Sequence, residues 1–116
     1  MRKILILLLF PFISFGQIDT FPWLHNFDNL MGLQQSQNDF GNWIIKNGPT
    51  PSINTGPSGD HTTGNGHYYY VESSGSMNWN KTFVVYTPTF DVSQTPGKVL
   101  SFWYHMYGVT MGDLEA

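Results

Sequence analysis

The sequence predicts an all-β domain, and three observations carry that reading. No segment holds a sustained 3.6-residue apolar period, so no amphipathic helix is indicated. Short aromatic and β-branched runs instead alternate with clusters of Gly, Pro, Asn, Ser and Thr, the pattern of strands separated by turns. The chain has 116 residues, 41% apolar, 16% aromatic and only 11% charged. That is too aromatic and too weakly charged for a disordered chain, and long enough for one domain.

The first element is an expected leader. Arg2 and Lys3 precede an apolar run from Ile4 to Phe15, and Ser14-Phe15-Gly16 puts small residues before a cut at Gln17. This tripartite pattern is that of a secretory signal peptide over residues 1–16, with a mature domain over 17–116. The apolar run is shorter than the roughly 18 residues of a spanning helix, so no transmembrane span is expected.

Weak strands are expected at Leu24–Phe27 and Phe40–Ile45, separated by the polar stretch Gln34–Asn38. Asn47–Gly66 holds five Gly and three Pro and reads as one long loop, which in a small domain is functional or pinned in place. His67–Ser73 is rich in strand formers, with Tyr69 and Val71 on one face and Tyr68, Tyr70 and Glu72 on the other. Lys81–Tyr86 is a second strand, ended by Pro88. Lys98–Tyr107 is the strongest strand candidate. Both its faces are bulky, which predicts a central position covered on two sides. Gly108–Gly112 reads as a hairpin connection, and Leu114–Ala116 as the start of a strand that stops.

Charge and motif content exclude several functions. The formal charge is −3, and no Lys/Arg cluster occurs after residue 3, so no nucleic-acid footprint exists. Without cysteine there are no disulfides, thiolate zinc sites or thiol nucleophiles. GPSGD and SSGSM do not fit a nucleophile elbow, and no phosphate loop or zincin motif is present. His61 and His67 are six apart, a spacing that suits no common metal site. His105 is expected to satisfy a backbone or side-chain partner. Asp60, in a loop with freely presented carbonyls, suits calcium, but the residues alone favour an Asx turn with Thr62 or Thr63. The sequon Asn80-Lys81-Thr82 is uninformative by itself.

Gly48–Gly75, together with Val99–Ala116, resembles the MAM domain, named from meprin, a neuronal surface antigen and receptor tyrosine phosphatase mu. The matches run in order: Phe27-Asp28, Asp39-Phe40 with Trp43, Thr50-Pro51-Ser52, Thr55-Gly56-Pro57, Asp60-His61-Thr62, Tyr68 to Glu72, Pro88 with Phe90, and Phe102 to Leu114. There are departures. Asp28 stands where the family usually has Glu. Asp39 to Trp43 carries an extra residue and lacks a second Asp. Val99 replaces a frequent Cys, which fits a bacterial exported version. The second part of the family domain is not present after Leu114, so the resemblance implies an N-terminal portion truncated at Ala116.

The resemblance implies an antiparallel jelly-roll β-sandwich, incomplete because the chain stops mid-domain. It implies an extracellular, non-catalytic module for adhesion or recognition, secreted or at the cell surface, with a protein or glycan partner. It also implies a structural calcium ion near Asp28 and Asp60, with a third acidic ligand in the missing part. Trp23, Trp79 and the Asn47–Gly66 loop are candidate recognition elements. Two rivals are a carbohydrate-binding jelly roll and an accessory domain of a secreted peptidase or hydrolase.

Overall fold

The computed structural model describes residues 16–28, 32–75 and 78–116. The expected leader lies outside the described residues except for Gly16. Among the described residues the regular structure is all strand: β1 (Gln34–Gln35), β2 (Ile44–Asn47), β3 (His67–Tyr70) and β4 (Val85–Tyr86). They form two antiparallel sheets, β1 with β4 and β2 with β3, and no closed barrel.

In the β2–β3 sheet, Ile44 faces Tyr70, Ile45 faces Tyr69, Lys46 faces Tyr68 and Asn47 faces His67. β-Branched and aromatic residues favour this pleated pairing. Gly48, at φ 73°, turns the chain out of β2 as a residue with a Cβ would do only under strain. Alternation sends Tyr69 to the side of Phe27 and Trp43, with ring centroids 5.2 and 6.4 Å away. Tyr68 and Tyr70 point to the other side, as the sequence predicts. Their hydroxyls donate to the Gly48 carbonyl at 2.6 Å and to Glu72.

The second sheet is mostly backbone. β1 pairs Gln34 with Tyr86 and Gln35 with Val85. Beyond the strand, Ser36 N–H donates to the Val84 carbonyl at 3.0 Å and Phe40 N–H to that of Thr82 at 3.0 Å. Near the expected cut site, Ile18 bridges Phe90 in parallel.

Trp43 joins the two sheets. Its indole N–H donates to the Phe83 carbonyl at 2.9 Å. Its backbone N–H and carbonyl hold the Gln35 side chain at 3.1 and 3.0 Å. An aromatic series runs on from it through Tyr69, Phe27, His25, Trp23 and Phe90, each centroid within 6.4 Å of the next. Among the described residues only Ser36, 8% exposed, is buried.

Five strand expectations need correction. His67–Ser73 forms ladder only over His67–Tyr70. Leu24–Phe27 is not a strand. Phe27 sits at φ 62°, its N–H donating to His25 Nδ1 at 3.1 Å, and this local bond turns the chain. Phe40–Ile45 forms ladder only from Ile44, and the ladder runs on to Asn47. Lys81–Tyr86 forms ladder only at Val85–Tyr86, because Val84 N–H is taken by the Asp39 carboxylate at 2.5 Å. Lys98–Tyr107 pairs with no strand among the described residues, and Trp103 and Tyr104 are 73% and 69% exposed. Side chains hold it instead. Trp103 stacks on His61 with centroids 3.7 Å apart, and His105 Nε2 bonds the Thr55 carbonyl at 3.0 Å. Residues 108–110 do turn, but they lead into no hairpin among the described residues.

Candidate functional site

The two nominated carboxylates, Asp28 and Asp60, are brought to adjacent amides at the start of β3. Asp28 Oδ1 accepts from His67 N–H at 3.2 Å and lies 2.9 Å from His67 Nδ1. Asp60 Oδ1 accepts from Gly66 N–H at 2.6 Å and from the Thr63 hydroxyl at 2.7 Å. Asp60 Oδ2 accepts from the amides of Thr62 and Thr63 at 3.0 and 2.8 Å. The Asx-turn reading of Asp60 is therefore what the fold contains. Bonds from Thr63, then those from Gly66 and Thr62, hold its carboxyl far below the usual value. The side-chain and then the backbone bond from His67 likewise lower Asp28.

Asp28 is positioned from both sides. Asn26 accepts its N–H at 3.2 Å and donates Nδ2–H to Asp28 Oδ2 at 2.6 Å. Because His25 Nδ1 accepts from Phe27, its proton sits on Nε2, a buried donor without a partner among the described residues.

An ionised carboxylate offers about four acceptor positions. The donors above fill all four at Asp60 and leave one at Asp28. Calcium takes roughly six to eight oxygens. The donor set fits such an ion only in part, at Asp28, with further oxygens from elsewhere. Among the described residues no group of three His, Cys, Asp or Glu converges on a metal position.

A second polar cluster centres on Glu72, which sequence reasoning placed only as a strand residue. Its carboxylate accepts from the Ser52 hydroxyl at 3.0 Å, from Ser74 N–H at 2.9 Å and from the Tyr70 hydroxyl. Its backbone carbonyl accepts from Asn78 Nδ2 at 2.8 Å. Partial burial pushes the carboxyl up, but the bonds from Ser74, Tyr70 and Ser52 outweigh it and bring it from 4.5 to about 2. A folded value below the unfolded one gives stability that is present above about 4.5 and lost as the pH falls through about 2. Wild-type melting should fall across that window, modestly because the group is largely solvated, and Glu72→Gln should flatten the fall.

The Glu72 cluster is a pedestal. It ties the long loop, through Ser52, to the turn before β4, through Asn78. The next residue in each case is apolar and exposed: Ile53 at 85% and Trp79 at 54%. The loop itself is fixed by Asp60, by Tyr68 on Gly48, and by Asn47 Nδ2 on the Asn65 carbonyl at 2.5 Å. Residues 49–54 and 56–58 line an open cleft of about 350 Å3. Trp23 is half-buried against Phe90 and His25, so of the two tryptophans singled out from sequence Trp79 is the exposed one.

Two antiparallel sheets with a pinned interstrand loop define a small β-sandwich module. The chain belongs to the MAM domain family, described as MAM domain, meprin/A5/mu, which matches residues 25–116. It is 42% identical to mouse MAM domain-containing protein 2 over 82 residues, 70% of this chain and 12% of that protein. It is 39% identical to thyroid hormone-induced protein B of Xenopus laevis over 88 residues, 75% of this chain and 12% of that protein. It is 38% identical to neuropilin-1a of Danio rerio over 73 residues, 63% of this chain and 8% of that protein. The chain thus spans a small fraction of the length of these relatives. No solved structure matches it.

Proposed function

We propose that this protein is a secreted or cell-surface recognition module of the MAM type, without catalysis of its own. The carrying observation is the Glu72 pedestal, which presents Ile53 and Trp79 from two segments bonded to one residue, Ser52 to its carboxylate and Asn78 to its backbone carbonyl. Exposed apolar residues on a fixed loop suit a protein partner, since little ordering entropy remains to be lost on binding. Export by the leader, with cleavage before Gln17, belongs to this reading. Binding to a panel of purified cell-surface ectodomains, with a second copy of this chain among them, tests the reading. Binding to polysaccharides alone, with sugar quenching of Trp79 fluorescence, would favour the carbohydrate-binding alternative. A hydrolase fused downstream would make the module an accessory domain.

A structural calcium ion at Asp28 is the second part of the proposal. It rests on the proximity of the two carboxylates and on the one acceptor position left at Asp28. Millimolar calcium should raise the melting temperature of the wild type, and Asp28→Asn should abolish the rise. Asp60→Asn should lower melting with or without calcium, because it breaks the loop's own bonds. No rise in the wild type rejects the ion.

A further inference from the structure

We propose that Gln17 becomes a pyroglutamyl residue, closing the amino terminus of the mature chain. The inference rests on the leader reading above, in which cleavage after Gly16 frees the α-amine of a glutamine. That amine attacks the residue's own side-chain carbonyl carbon. The new N–Cδ bond closes a lactam, the Cδ–Nε2 bond breaks, and the amide nitrogen leaves as ammonia with the amine's proton. Atoms and electrons balance without an oxidant, a reductant or a second substrate.

The fold leaves Gln17 free to do this while holding Ile18 in place. Ile18 N–H donates to the Thr89 carbonyl at 2.9 Å, and Asp91 N–H donates to the Ile18 carbonyl at 2.8 Å. These bonds seat Ile18 in its parallel bridge with Phe90. Gln17, one residue outward, is exposed, and among the described residues its side-chain amide has no hydrogen-bond partner to oppose cyclisation. The lactam removes the terminal positive charge and the free amine that an aminopeptidase requires. It therefore protects the adjacent bridge, which trimming of Gln17 and Ile18 would delete.

The test is intact-mass analysis of the chain secreted with its own leader, beside Gln17→Ala. The expected wild-type mass is that of residues 17–116 less one ammonia. Chemical sequencing of it should be blocked, and pyroglutamyl peptidase should reopen it at Ile18. Gln17→Ala should show no loss of ammonia and should be trimmed faster by an aminopeptidase. A wild-type chain starting at Gln17 with its amine intact overturns the proposal and leaves the leader reading standing. A chain that keeps residues 1–16, or starts at another residue, overturns the leader reading and the proposal with it.

Discussion

Trp43→Ala should lower the stability of the protein by about 3 kcal/mol, a drop in melting temperature on the order of 10 °C or more. Trp43 is the residue through which the two sheets meet. Truncation deletes its contact with Tyr69 and its bond to the Phe83 carbonyl, 40 positions away in sequence. The side chain is only partly buried, which keeps the loss below that of a tryptophan in a closed core. Trp43→Phe separates the two contributions. It keeps an aromatic ring against Tyr69 and loses the indole N–H, so it should cost about 1 kcal/mol. Equal losses in the two variants, read from thermal or denaturant unfolding, would show that the ring contact contributes nothing.

Gly59→Ala should cost about 2–3 kcal/mol through a steric conflict in the loop. A Cβ on Gly59 would lie 2.1 Å from the Gly64 carbonyl oxygen, a backbone atom that cannot swing away. The turn that would have to open is the one closed by Gly64 N–H on the Asp60 carbonyl at 3.2 Å. The four donors around the Asp60 carboxylate would be displaced with it. The variant should show lower melting and faster proteolysis within residues 58–66. Wild-type melting in Gly59→Ala would mean that this loop packs differently from the structure described.

What the sequence made legible was the local chemistry. The start of β3 at His67, the alternation of its tyrosines and the Asx turn at Asp60 are all set by neighbouring residues. His105, although exposed, also finds a backbone partner in the Thr55 carbonyl. The elements that escaped sequence reasoning depend on distant chain. β1 consists of two glutamines, whose side chains give no alternation signal, because its ladder is made by backbone groups meeting β4. The pairing of Asp28 with His67 spans 39 positions, so neither residue's surroundings announce the other. Phe27 reads as a strand residue by type, but it sits in the left-handed region with its N–H on His25 Nδ1 and its ring against Tyr69. The bulky faces of Lys98–Tyr107 imply burial, but burial needs covering strands that the described residues do not supply.

The residues that match in order, from Phe27-Asp28 to Leu114, include those that build the Asp60 loop, the Glu72 pedestal and the Trp43 junction. They are scaffold positions, and their bonds are internal. Ile53 and Trp79 lie beside those positions and are exposed.

The central claim is that this outward face recognises a partner. It is tested most directly by comparing the wild type with the double variant Ile53→Ser and Trp79→Ser for binding to an ectodomain identified from the panel. Both side chains are exposed, so the melting temperature should be unchanged while affinity falls at least tenfold. A double variant that melts like the wild type and binds as tightly would contradict the account.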